Sequence, residues 1–421
     1  MSSFTSRATG SENTQQRAGT SAWPSVLCWV TVMLEGFDLV ALGAIIPTLI
    51  KGGHMGFDKG GATLVATVSL IGVAIGAAAV GPIADRIGRR LVLIGSIFLF
   101  SVFTLVIPLA GSVEIFAVFR LIAGLGLGAC MPTALTLMAE HLPESKRSHS
   151  STLTMTGYHA GAVVASLVAL AVVPDWQLLF YLGGVIGLLV VPVMWFKLPE
   201  SEAFLASREK EDAARASLFQ PGHRKAIVGV WIGSFMGLLL VYGLNTWLPQ
   251  LMREAGYGVA SSITMLFVLN AGAVAGLLLA GSIADRRGVK PTILLWFGVS
   301  AALLALLSVQ MKSPWLVNLV IFITGIFVFS AMVLIYAYIA HTFAPEVRNT
   351  AIGLASAVGR LGAIVGPLVT GALVTAGIAY PWGFYFFAAV AVLGLLAIVM
   401  VPHEQVLKNT ESQQEAARAQ A

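Results

Sequence analysis

Twelve long apolar runs, separated by charge clusters or Gly/Pro breaks, limit this chain's fold more than any other feature. They fall at roughly 23–50, 61–84, 91–110, 114–139, 150–173, 178–198, 226–251, 261–284, 290–311, 315–341, 349–377 and 380–402. A helix needs about 20 mostly apolar residues to cross the hydrocarbon core of a bilayer. The runs are continuous rather than alternating, which favours helices over a barrel. The predicted fold is therefore an all-α membrane protein with twelve transmembrane helices. Composition agrees, with 57% hydrophobic and 11% charged residues, where a soluble domain carries about 25% charged residues. That shortfall excludes a soluble enzyme, a disordered chain and a nucleic-acid binder; the lipid bilayer is the expected surrounding. Cys28 and Cys130 both fall in apolar runs, so small buried thiols are expected rather than a disulfide framework.

Lysine and arginine counts set the orientation. With the N-terminus on the cytoplasmic side, the inward tails and loops hold nineteen of the 25 bases, among them Arg86, Arg89, Arg90, Lys197, Arg286, Arg287 and Lys290. The outward loops hold four, Lys51, Lys59, Arg253 and Lys312. This bias predicts a multi-pass protein of the bacterial cytoplasmic membrane with both termini cytoplasmic. Residues 1–21 are polar and read as a tail rather than a leader, and 403–421 as a second tail. The longest hydrophilic stretch, 199–225, divides the chain into six-span halves, 22–198 and 226–402, and reads as a cytoplasmic linker.

The halves repeat at an offset of about 200 residues. Gly81-Pro-Ile-Ala-Asp-Arg-Ile-Gly-Arg-Arg90 matches Gly281-Ser-Ile-Ala-Asp-Arg-Arg-Gly-Val-Lys290 at six of ten positions. Tyr158-His-Ala-Gly-Ala-Val-Val-Ala-Ser-Leu-Val168 matches Gly359-Arg-Leu-Gly-Ala-Ile-Val-Gly-Pro-Leu-Val369, which sets His159 opposite Arg360. Pro143-Glu144 matches Pro345-Glu346. Paired halves with a site between them are a common build of secondary transporters. The Gly-x-x-x-Asp-Arg-x-Gly connection needs glycine to bend sharply. Its acid can sit at a neighbouring helix N-terminus. Asp85, Arg86, Arg89, Glu140, Asp285 and Arg286 are the gating candidates for such a clasp, and a purely topological anchor is the alternative.

These motifs resemble the major facilitator superfamily, whose hallmark is the duplicated loop. Arg120-Leu-Ile-Ala-Gly-Leu-Gly-Leu-Gly128 resembles a further motif of that superfamily. Leu34-Glu-Gly-Phe-Asp-Leu39, Trp247-Leu-Pro-Gln-Leu-Met252 and Gly359-Arg-Leu-Gly-Ala-Ile-Val-Gly366 are similar to its aromatic acid:proton symporter family. One departure is Glu35, where many members of that family carry Asp. The resemblance implies two pseudo-symmetric six-helix bundles and import of benzoate- or hydroxybenzoate-type acids with protons. No cofactor is expected, and the carrier is expected to be a monomer.

Glu35, Asp38, Arg120 and Arg360 lie well inside predicted spans, with His159 a fifth candidate. Burying such groups at mid-bilayer costs about 2.5–3.5 kcal/mol each even on the lenient insertion scale. They should therefore face the bundle interior. Glu35 and Asp38 are three apart on one helix face and should titrate as a coupled pair. The alternative is that only Asp38 matters. Two acids and two arginines sum to zero charge. Protonating one acid leaves +1, which favours an incoming carboxylate and links proton to anion binding. Proton coupling is thus expected of Asp38, Glu35 and Arg120. Either Arg120 or Arg360 can grip a carboxylate with its fork, or Arg120 can pair with Asp38 instead. An aromatic ring needs an apolar slot with a few polar handles. Tyr158, His159, Asn245, Trp247, Asn270 and Tyr336 are the expected binding candidates, with Phe37, Tyr242, Phe267 and Tyr338 as further ring contacts.

Two other function classes fit the sequence less well. A drug:proton antiporter of the same superfamily typically has a Gly-Pro motif in span 5. Span 5 here has no proline, and Gly366-Pro367 lies in span 11. A membrane enzyme is disfavoured because the sequence shows no His-Glu-x-x-His and no nucleophile constellation.

Overall fold

The structure, a computed structural model, describes residues 22–141, 144–200, 224–343 and 345–401. Both predicted tails, nearly all of the predicted linker, and the side chains of Asp85 and Glu140 lie outside the described residues.

Twelve helices long and apolar enough to span a membrane follow one another. The first half holds α1 (Trp23–Gly52), α2 (Lys59–Ile87), α3 (Arg89–Val106), α4 (Val113–His141), α5 (Glu144–Val172) and α6 (Gln177–Lys197). The second holds α7 (Arg224–Glu254), α8 (Val259–Arg287), α9 (Val289–Leu306), α10 (Pro314–Thr342), α11 (Pro345–Thr375) and α12 (Ala379–Met400). Several helices outrun their apolar stretches: α5 begins at Glu144 and α11 at Pro345, because a helix continues past the hydrocarbon region wherever water satisfies its end. Conversely α3 stops at Val106, and Pro108 lies in a short 3₁₀ turn, Ile107–Leu109. Leu109, Leu189, Leu278 and Leu396 stand exposed on the outside, as a lipid-facing surface requires.

Glycine seams hold each half together. A Cβ added at Gly72, Gly76 or Gly128 would stand 2.3, 2.1 or 1.9 Å from a carbonyl oxygen across the α2–α4 contact. Gly272, Gly276 and Gly325 play the same part between α8 and α10, at 2.1, 2.3 and 2.0 Å. Gly36 and Gly161 close α1 onto α5, and Gly362 closes α11 onto α7. Apolar burial does not drive helices together in lipid. Close backbone approach does.

The repeated loop has the same backbone in both halves. Gly88 joins α2 to α3 at φ 98°, ψ 151°, and Gly288 joins α8 to α9 at φ 88°, ψ 148°. Only glycine enters that region without strain. The basic residue that follows ties down the half's last helix. Arg90 donates to the Trp195 carbonyl in α6 and stacks over the Trp195 ring at 5.5 Å. Lys290 donates to the Val401 carbonyl just past α12. Cations at helix C-termini complement the carbonyl ends of the dipole. Glu200 accepts the Arg90 backbone N–H at 3.1 Å, a negative charge at the start of α3.

Across the middle, α5 packs on α8, α2 on α11 and α1 on α7. The end of the molecule where α6 finishes and α7 begins is called the linker face below, and the opposite end, with the α1–α2 and α7–α8 connections, the turn face.

Candidate functional site

The site is built around α1, which is buried almost continuously from Leu34 to Leu49. A helix covered on all sides cannot turn a charge toward lipid, so its acids must meet partners inside. Asp38 does so completely. Its Oδ2 lies 2.6 Å from Arg120 Nη1, and its Oδ1 accepts from the Thr104 hydroxyl at 2.7 Å. Arg120 Nη2 donates to the Ser69 hydroxyl at 3.0 Å. Helices α1, α2, α3 and α4 thus share one buried polar knot.

Glu35 lies one turn nearer the linker face and is fully buried, with the Met131 backbone of α4 beside it but no side chain hydrogen-bonded to either carboxylate oxygen. The cation whose charge acts on it is Arg360 of α11, across the junction of the halves. Arg360 donates through Nη1 to the Tyr242 hydroxyl at 3.1 Å. The Tyr158 and Tyr242 rings are 6.3 Å apart. Half-buried Tyr336 of α10 also lies within reach of the Arg360 charge.

A chain of amides crosses the junction. Asn270 of α8 donates through Nδ2 to the Leu266 carbonyl at 3.1 Å and to Asn245 Oδ1 at 2.9 Å. Its Oδ1 therefore faces His159 Nδ1, at 3.3 Å, where the histidine proton must sit. The His159 ring meets Tyr158 and Phe329 edge-on, at 5.2 and 5.0 Å between centroids. Beside this chain is a narrow hollow between the halves, with room for little more than a water molecule. Leu39, Leu42, Ser69, Arg120, Tyr158, Tyr242, Asn245 and Thr246 line it.

The structure brings Glu35, Asp38, Arg120, Tyr158, His159, Asn245, Asn270, Tyr336 and Arg360 to one junction. It places Trp247 elsewhere: its indole N–H donates to the Pro367 carbonyl at 2.9 Å, tying α7 to α11, and its fully buried ring packs on Gly371. Among the gating candidates, Arg86, Asp285 and Arg286 are exposed, and Arg89 donates to the Ala84 carbonyl of its own loop at 3.1 Å.

Among the described residues, the ion pair that joins the halves is at the turn face. Lys59 at the start of α2 lies 2.6 Å from Glu254 at the end of α7. Gln250 supports Glu254 at 3.3 Å, and the Thr63 and Thr375 hydroxyls meet at 3.4 Å. Sequence reasoning treated Lys59 as a loop charge and missed this contact. It also missed Ser69 and Thr104, whose signal was a lone hydroxyl in an apolar run. The described residues contain no group of three or more His, Cys, Asp or Glu placed to hold a metal ion.

The sequence profile of the Major Facilitator Superfamily matches residues 28–295 and 230–421. The chain is 31% identical over 415 residues to the benzoate transport protein of Acinetobacter baylyi, covering 89% of this chain and 88% of that protein. It is 34% identical over 353 residues to the 3-(3-hydroxy-phenyl)propionate transporter of Escherichia coli K12, covering 83% and 86%. A gallate transporter of Pseudomonas putida is 29% identical over 413 residues, covering 90% and 92%. Among solved structures, a D-xylose-proton symporter superposes with a TM-score of 0.74 at 17% identity, covering 90% and 98%. Twelve spanning helices in two repeated halves around a buried charged junction define a membrane carrier, and the chain belongs to the major facilitator superfamily.

Proposed function

We propose that this carrier imports small aromatic carboxylates, of the benzoate or hydroxybenzoate type, together with protons across the bacterial cytoplasmic membrane, both termini being cytoplasmic. The observation that carries the reading is Glu35: a buried carboxylate with no side-chain hydrogen bond, opposed by Arg360 across the junction. Asp38 and Arg120 neutralise each other within the first half. Glu35 and Arg360 are left as the pair able to change partners. A substrate carboxylate that takes the Arg360 fork leaves Glu35 uncompensated in a place of low dielectric, where it takes up a proton. Anion and proton then bind with positive linkage.

Relatives named for benzoate, gallate and hydroxyphenylpropionate support the aromatic part. The aromatic lining of the junction gives a ring apolar surface beside few polar groups. The proton also balances charge: bringing in a lone anion against a negative interior costs about 2.3 kcal/mol per 100 mV, and one proton cancels it. No cofactor enters this scheme.

The test is uptake of labelled aromatic acids by the purified chain in liposomes with an imposed inward proton gradient. Accumulation that collapses when a protonophore is added supports the reading. Uptake indifferent to the gradient, or no uptake of any aromatic acid, overturns it.

A further inference from the structure

The Trp247-Leu-Pro-Gln250 segment has no part in the charged junction, yet three helices converge on it. On α7, Trp247, Gln250 and Glu254 follow at three- and four-residue spacing and share one helix face. Lys59 and Thr63 share a face of α2, and Gly371 and Thr375 a face of α11. These faces meet in tiers at the turn face. Outermost, Lys59 Nζ lies 2.6 Å from Glu254 Oε1, to which Gln250 Nε2 donates at 3.3 Å. Next, the Thr63 and Thr375 hydroxyls stand 3.4 Å apart. Innermost, a Cβ added at Gly371 would meet the Thr63 side chain at 2.5 Å and the Trp247 ring at 2.8 Å. Trp247 is itself fixed by its bond to the Pro367 carbonyl.

Helix α2 belongs to the first half, α7 and α11 to the second, so these tiers join the halves. They are also made of groups that separate at little cost. The Lys59 and Glu254 side chains are 37% and 16% exposed, so water takes over both charges once they part. Thr63 and Thr375 each keep a hydrogen bond to a carbonyl of their own helix, Lys59 and Gly371, at 2.9 Å. Gly371 has no side chain to interlock. The Asp38–Arg120 pair is the opposite case: wholly buried, and joining helices of a single half. Breaking it strands a charge away from water, whereas breaking Lys59–Glu254 strands none.

We infer that this three-helix contact is a releasable latch that closes the carrier at the turn face and parts to admit substrate there, with Lys59–Glu254 as its outer tie. That the turn face is the external side rests on the orientation proposed above. The test uses Thr67→Cys, one turn deeper than Thr63 on α2, where the native hydroxyl is buried. Cys28 and Cys130 are buried, so the chain without the added cysteine serves as the blank. Labelling by a membrane-impermeant maleimide is timed in right-side-out and inside-out vesicles. In the Thr67→Cys chain, Glu254→Gln and Lys59→Gln should each raise the right-side-out rate about twofold to fivefold, the range an exposed ion pair covers. Glu254→Lys should raise it further, and Lys59→Glu combined with Glu254→Lys should bring it back toward that of the intact pair. Inside-out rates should not rise. A misfolded variant does not imitate this pattern, because it exposes the cysteine from both sides and is not cured by exchanging the charges. Equal rates with and without the pair, a rise from both sides, or an exchange no better than Glu254→Lys alone overturns the latch. A rise confined to inside-out vesicles keeps the latch and overturns the orientation.

Discussion

Asp38 and Arg120 meet at 2.6 Å in a place sealed from solvent, where the Thr104 hydroxyl donates to Asp38 and Arg120 donates to the Ser69 hydroxyl. Glu35, on the same helix face, has no side-chain hydrogen bond. The two acids of α1 therefore differ in kind, and their neutral amides should behave differently.

Asp38→Asn leaves Arg120 as a buried cation facing an amide. Removing one member of a buried pair costs about 3–5 kcal/mol. The variant should lose both proton-driven uptake and thermal stability, read by transport and by unfolding of the purified protein. A variant as stable as the parent would show that the knot does not hold α1, α3 and α4 together.

Glu35→Gln breaks no side-chain hydrogen bond and keeps an oxygen to accept from the Met131 backbone, so it should leave the unfolding temperature within a few degrees of the parent. It should retain counterflow exchange of labelled substrate while losing accumulation driven by a proton gradient. Undiminished accumulation would take the coupling role away from Glu35.

Arg360→Lys keeps the charge and loses the planar fork that matches two carboxylate oxygens. Apparent affinity for aromatic acids should fall about tenfold or more, with the maximal rate less affected. Unchanged half-saturation would exclude direct contact between Arg360 and the substrate.

Gly36→Ala puts a methyl group 2.0 Å from the Tyr158 carbonyl oxygen. Overpacking of this kind typically costs about 1–3 kcal/mol, and α1 must move off α5 to relieve it. Loss of uptake with a lowered unfolding temperature is expected. Gly95→Ala in α3, where an added Cβ meets nothing within 4 Å, serves as the control that should leave both unchanged.

Length and hydropathy made the twelve helices legible, because a spanning helix needs little more than an apolar run of the right length. The repeat was legible because Gly88 and Gly288 are irreplaceable at their φ angles and drag recognisable neighbours with them. The junction was legible as a set of charges, but not as pairs. Helices such as α1 and α10 are apolar all round, so no stripe says which way Glu35 or Asp38 turns, and Arg120 had two acceptable partners. Trp247 was read as a ring contact because an aromatic beside a buried site has no mark that separates substrate from packing; its bond to Pro367 depends on where α11 lies. Lys59 and Glu254 meet only because the two halves lean together at the turn face. Nothing local to either residue announces that contact.

Gly43 sits where α1 crosses α7, and a Cβ there would stand 2.2 Å from the Asn245 carbonyl oxygen. The seams inside each half are equally tight, so each half behaves as a solid piece. Were one half to rock on the other, it would turn about a crossing where bare backbone rides on bare backbone, and Gly43 is such a crossing, bearing on Asn245. A single methyl at Gly43 would then push α7 away at Asn245 and wedge the two halves apart.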